Sequence, residues 1–146
     1  MFEKVLVVCV GNICRSPTGA ALLRQLLPNK QIASAGIAAE KSGLVGHTAD
    51  SVAMATAQQH GIDLSHHKAQ QLTVGLCQQY DLLLVMEKGH LEAVTRIAPH
   101  ARGKTMLFGE WIGKQDIPDP YQQSQEAFDH AYALIERAAH AWSKKL

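Results

Sequence analysis

Residues 4–18 read KVLVVCVGNICRSPT, and that stretch decides the fold. The first seven, KVLVVCV, are continuous, apolar and largely β-branched, which is the composition of a strand buried on both faces. Arg15 follows Cys9 by six positions, and the loop between them carries Gly11 and Asn12, residues that tolerate unusual backbone angles. A helix then starts over residues 16–27, SPTGAALLRQLL: Ser16 is a favourable N-cap, Pro17 suits the first helical position and Pro28 helps to stop it. A buried strand feeding a helix through a short polar loop is one half of a βαβ crossover, so the chain reads as α/β.

The pattern recurs outward from there. Residues 31–36, QIASAG, form a short strand, followed by a glycine-containing loop to about Thr48. Residues 49–61 are helical, with Ala49, Val52, Ala53 and Ala57 on one face and Gly61 as the stop. A short helix over 72–80 is capped by Thr73; residues 81–87, DLLLVME, are a second fully buried strand; a helix over 89–98 and a strand over 104–108 come next. After an irregular stretch, 109–123, the last helix runs over about 124–145 with Phe128, Ala131, Ile135, Ala138 and Trp142 in one apolar stripe. Such alternation predicts a parallel sheet covered on both faces. Right-handed crossovers then gather the C-terminal strand ends, and loop 9–16, on the edge where these sheets bind ligands.

The totals bound what that edge does. At 146 residues the chain is expected to form a single domain, 1–146. Its 14 basic and 13 acidic residues nearly cancel, which argues against bulk electrostatic binding of nucleic acid or an anionic membrane. Three cysteines are no disulfide scaffold, and the odd count favours a reducing compartment. The apolar start is too short for a secretion signal and lacks a cleavage pattern, and no run is long enough to span a membrane. The expectation is a cytoplasmic monomer without membrane insertion.

The loop itself has a chemistry. At a strand-to-helix turn the first N–H groups of the helix lack partners and the macrodipole is positive, so an anion is attracted. Gly11 and Asn12 allow the N–H groups to fold inward as a nest, and Arg15 adds a planar fork for two oxyanion oxygens. The same field favours the thiolate form of Cys9. A nucleophile and a cradle for a tetrahedral dianion therefore share one loop, as attack on a phosphate monoester requires. The nucleotide loop G-x-x-x-x-G-K-[ST] is absent, so nucleotide hydrolysis is not indicated. A phenolate leaving group departs badly unless protonated, and IPDPY, 117–121, offers Asp119 between two stiffening prolines.

Taken together, CVGNICRSP and DPY resemble the low-molecular-weight protein tyrosine phosphatases, over essentially the whole chain in length and segment order. The resemblance implies a flavodoxin-like three-layer sandwich, a four-stranded parallel sheet of order 2-1-3-4, and no metal or organic cofactor. It makes Cys9 the nucleophile, Arg15 the phosphate clamp and Asp119 the general acid and then base. Val10, Gly11, Asn12, Ile13, Cys14, Arg15 and Ser16 become the phosphate-binding loop, and Asn12, Ser16, Ser34 and His67 match a network that holds it in shape. Ser16 also matches the hydroxyl that supports the thiolate.

Departures from the family pattern fall around the rim. Gln70 follows Ala69 where the family often has arginine, and Glu40 and Gln122 stand where animal members tend to carry aromatics. That leaves Tyr121 as the main ring of a rim completed by Glu40 and Leu44. The pattern, with VMEKGHLEAV and MLFGEW, is similar to a bacterial branch associated with exopolysaccharide or capsule export, whose partners are autophosphorylating tyrosine kinases with tyrosine-rich tails. Cys14 has two readings, a reversible disulfide partner that protects Cys9 or a small buried residue at the base of the loop. Cys77 reads as packing, and His66 and His67 lack metal-ligand spacing. Trp111 and Trp142 read as anchors, with Trp111 alternatively on the rim. Arsenate reduction is the competing activity, but it needs a relay of further cysteines and Cys77 stands alone. A non-catalytic phosphotyrosine-binding module would lack the nucleophile or the acid, and both are present.

Overall fold

The computed structural model describes residues 2–146. Four parallel strands, β1 (Lys4–Cys9), β2 (Gln31–Gly36), β3 (Leu82–Val85) and β4 (Thr105–Leu107), make one sheet in the order β2-β1-β3-β4. Five α-helices connect and cover them: α1 (Arg15–Leu26), α2 (Ser51–Gln59), α3 (Val74–Gln79), α4 (Lys88–Ile97) and α5 (Gln125–Ser143). This is the flavodoxin-like sandwich expected from the resemblance.

Side-chain alternation along β1 builds the two outer layers. Val5, Val7 and Cys9 join a core with residues of α1 and α5, whereas Leu6 and Val8 join a second core with α3 and α4. Both faces are covered, which is why β1 and β3 are apolar without interruption. All five expected stripe residues of α5 are buried, Ala131, Ile135, Ala138 and Trp142 in the first core and Phe128 against Ile13, Cys14 and Ala53, and Ser124 caps the helix by accepting from the Ala127 N–H. Thr73 caps α3 in the same way through Leu76, and Asp50, outside the expected apolar face, caps α2 through Val52 and Ala53.

β1 lies between β2 and β3, so the crossovers leave it in opposite directions. Its C-terminal end is the topological switch point, where the diverging connections open a crevice. Cys9 is the last residue of β1.

Several boundaries differ from expectation. β3 is shorter than residues 81–87: the Asp81 side chain accepts the N–H groups of Glu3 and Lys4 at 2.9 Å each, the Met86 carbonyl is taken by the Ile117 N–H, and Glu87 is already the N-cap of α4. Residues 99–104 form a 3₁₀ turn, an element with too few residues to show a period. The correction that matters lies at α1: the helix starts at Arg15 with Cys14 as N-cap and no side-chain cap bond, so Ser16 is inside the first turn. Its hydroxyl is spent elsewhere, as described below, and the helix end is left open.

Gly36, paired with Cys9 across the sheet, sits directly behind the loop. A Cβ there would meet the Val10 carbonyl oxygen at 2.6 Å and the Asn12 nitrogen at 3.0 Å. Gly36→Ala is expected to destabilise the protein by about 1–3 kcal/mol through overpacking and to weaken inhibition by inorganic phosphate. Denaturant titration and inhibition constants measure the two effects.

Candidate active site

Loop 10–14 wraps a single cleft of ≈ 240 Å³, lined by Cys9, Val10, Gly11, Ile13, Cys14, Arg15, Ser42, Leu44, Asp119 and Tyr121. Cys9 is 3% exposed and stands at the cleft floor. Its sulfur receives the Asn12 backbone N–H at 3.3 Å and lies 2.9 Å from the Ser16 hydroxyl. Because the Asn12 amide donates to Ser16 Oγ at 2.7 Å, the serine proton is free to point at the sulfur. Two donors thus converge on the Cys9 sulfur. Among the described residues the backbone N–H groups of Gly11, Ile13 and Cys14 have no acceptor in the chain, as an anion nest requires.

Asn12 holds the loop in that shape. It is fully buried with φ at 60°, the left-handed region that asparagine tolerates better than most residues. Its amide also donates to Ser34 Oγ at 2.9 Å, and its side-chain oxygen accepts the Gln70 N–H at 2.9 Å. Its carbonyl oxygen receives His67 Nε2 at 2.6 Å. A carbonyl only accepts, so His67 carries its proton on Nε2, and burial lowers its pKa and keeps the ring neutral. Gln70 does more than lack a charge: its side chain donates to the Ser34 carbonyl, tying β2 to the same network.

Arg15 is 2% exposed, which is tolerable for a guanidinium only when it is paired. One end, Nη1, is held by Glu87 Oε2 and by the Ile117 carbonyl at 2.7 Å. Nη2 lies 3.8 Å from Asp119 Oδ2. The fork is therefore anchored at one nitrogen, with Arg15 lining the cleft beside Cys9. Glu87 and Ile117 were not singled out from the sequence. The available signal for Glu87 was an acid at the end of a buried strand, on the ligand edge of the sheet.

Asp119 is half exposed, and its Oδ1 accepts the Tyr121 N–H at 3.0 Å in a local turn. The segment that carries it is fastened beneath: the Lys88 N–H donates to Asp116 Oδ1 at 2.9 Å, and the Ile117 N–H to the Met86 carbonyl at 2.8 Å. Upstream, the chain closes tightly on itself, since a Cβ on Gly109 would lie 2.1 Å from the Gln115 carbonyl oxygen.

On the rim, Leu44 and Tyr121 line the cleft and Glu40 does not; Ser42 takes its place. Glu40 is exposed, and its backbone N–H is held by the Gln71 side chain at 2.8 Å. Gln122 has a left-handed backbone with φ at 61°. Trp111 is an anchor away from the cleft, with its ring edge-on to Trp142 and Lys145 over its face. Cys14 is buried, and desolvation above all, with the Asp50 carboxylate next, pushes its pKa well above the usual thiol range. That environment matches a packed thiol better than a ready nucleophile. Cys77 is buried against the opposite face of the sheet from Cys9.

A parallel α/β fold whose switch point holds a sulfur, an open nest of N–H groups and an anchored guanidinium is a candidate site for a phosphate monoester. The sequence profile described as low molecular weight phosphotyrosine protein phosphatase matches residues 4–146. Etp of Escherichia coli K12, a low molecular weight protein-tyrosine-phosphatase, is 50% identical over 99% of this chain and 95% of its own length. AmsI of Erwinia amylovora, a probable enzyme of that kind, is 52% identical over 100% and 99%. The structure of Wzb from Vibrio vulnificus in complex with benzylphosphonate superposes with a TM-score of 0.99, at 66% identity and full coverage of both chains. The chain belongs to the low molecular weight protein-tyrosine-phosphatase family.

Proposed function

We propose that this phosphatase hydrolyses phosphotyrosine in two steps through a cysteinyl-phosphate intermediate. The observation that carries this reading is the convergence of the Cys9 sulfur, the open N–H groups of loop 10–14, Arg15 and Asp119 on one cleft. In the first step the Cys9 thiolate attacks phosphorus, and the bond from phosphorus to the phenolic oxygen breaks. Asp119 delivers its proton to that oxygen, and tyrosine leaves. In the second, the Asp119 carboxylate takes a proton from water as the water oxygen attacks phosphorus, and the thiolate departs with inorganic phosphate as product. Arg15 and the nest bind the equatorial oxygens throughout and stabilise the charge they share in each transition state. Leu44 and Tyr121 give the phenyl ring an apolar slot, and a phosphotyrosine has the reach to place its phosphate at the floor.

The partner follows from the resemblance: an autophosphorylated bacterial tyrosine kinase that controls exopolysaccharide or capsule production, met in the cytoplasm by a monomeric phosphatase. Among the described residues no helix is long and apolar enough to cross a membrane. Arsenate reduction is the weaker reading, since Cys77 lies on the far side of the sheet and offers no relay. Steady-state rates on phosphotyrosine, phosphoserine and arsenate separate these activities. Phosphotyrosine is expected to lead phosphoserine by about 100-fold or more in kcat/KM, because the shorter side chain cannot fill the slot. Thiol-dependent arsenate turnover above the phosphatase rate would reverse the assignment.

A further inference from the structure

We propose that His90 is a positioning residue for the phosphate clamp, acting through Glu87 on Arg15; this rests on Arg15 being that clamp. His90 is the third residue of α4 and is 9% exposed. Its Nε2 lies 3.9 Å from Glu87 Oε2, the same oxygen that grips Arg15 Nη1. Glu87 is the N-cap of α4 yet makes no side-chain cap bond, because its carboxylate is turned onto the guanidinium instead. Asp116 takes over the Lys88 N–H, so the helix end is satisfied from the neighbouring loop. The carboxylate is about one-third exposed, with a side-chain relative exposure of 36%, and without a second restraint it is free to swing toward solvent.

The imidazole supplies that restraint. A shift of about 1 Å brings Nε2 to hydrogen-bond distance of Oε2. The other ring nitrogen, Nδ1, is buried with no partner. An unpaired buried nitrogen opposes folding, so packing alone favours an apolar side chain here, and the histidine calls for a polar task. The charged groups around the ring are Arg15 from α1, Glu87 at the N-cap of α4, and Asp116 and Asp119 from the loop beyond β4. Burial first, and Arg15 second, lower its pKa, so near neutral pH the ring is an uncharged donor that does not compete with Arg15 for phosphate.

The experiment compares His90→Leu and His90→Gln with the unaltered enzyme. The leucine removes the donor, while the glutamine amide sits near the place of Nε2. Inhibition by inorganic phosphate and turnover of an aryl phosphate are read together with thermal stability. His90→Leu is expected to raise the phosphate inhibition constant and KM 3–10-fold, with kcat within twofold and Tm unchanged or higher. His90→Gln is expected to restore phosphate affinity to within twofold. In Glu87→Ala, which already lacks the acceptor oxygen, adding His90→Leu is expected to cost nothing further. Unchanged phosphate affinity in His90→Leu overturns the proposal. So does failure of glutamine to rescue, or a loss that follows Tm instead of KM. Arg15→Lys in the same assay isolates the underlying reading: if phosphate affinity survives that change, the clamp assignment is what fails.

Discussion

Cys9→Ser is expected to lower kcat for an aryl phosphate by at least about 10⁴-fold while leaving phosphate affinity within a few-fold of the original. The two halves of this result have separate causes. Turnover needs a nucleophile that is ionised and that leaves again as an anion in the second step, and a serine hydroxyl does neither near neutral pH. Binding depends on the N–H nest and on Arg15, and both stay in place because serine is close to cysteine in size. Ser16 Oγ and the Asn12 N–H, which now meet the sulfur at 2.9 and 3.3 Å, find a hydroxyl instead. Steady-state rates together with calorimetric titration of phosphate measure both quantities. Retention of substantial turnover in the serine variant means that the cleft works by direct attack of water, and the covalent mechanism falls.

Asp119→Ala has the second largest expected effect, and the informative quantity is its dependence on the leaving group. General-acid catalysis contributes about 10²–10⁴-fold when the departing oxygen is basic, as in phosphotyrosine. A nitrophenolate leaves without help, so a nitrophenyl phosphate is expected to lose much less in its first step. Asp119 also lies 3.8 Å from Arg15 Nη2, so its removal takes a negative charge from beside the clamp. Tighter phosphate binding is the expected companion of the slower rate. Rates across a series of substituted phenyl phosphates test the assignment, and a uniform loss along the series removes Asp119 from the acid role.

Much of the architecture was written locally. The strand over residues 31–36, the cap at Thr73 and the apolar stripe of α5 each depend on about fifteen residues or fewer. Periodicity and turn chemistry report them directly. Ser16 shows the limit of that reasoning. As a helix cap it obeyed the local rule, but its hydroxyl serves the Cys9 sulfur, and the open helix end it leaves behind is what an anion needs. Glu40 shows a second limit, since a position in a loop of turns does not reveal which side chains reach the opening.

The sequence by itself determined the parallel α/β class, the strand–loop–helix unit and the joint presence of C-x5-R-S with a distant Asp-Pro-Tyr, because each is carried by neighbouring residues. Only the tertiary structure decided how Arg15 is anchored, through Glu87 at 72 residues' separation and the Ile117 carbonyl at 102. It alone placed His90 behind that anchor, and Gln70 behind the loop as part of the Asn12 network. Those contacts are set by strand order and sheet register, and no local period encodes which distant residue will meet a given guanidinium.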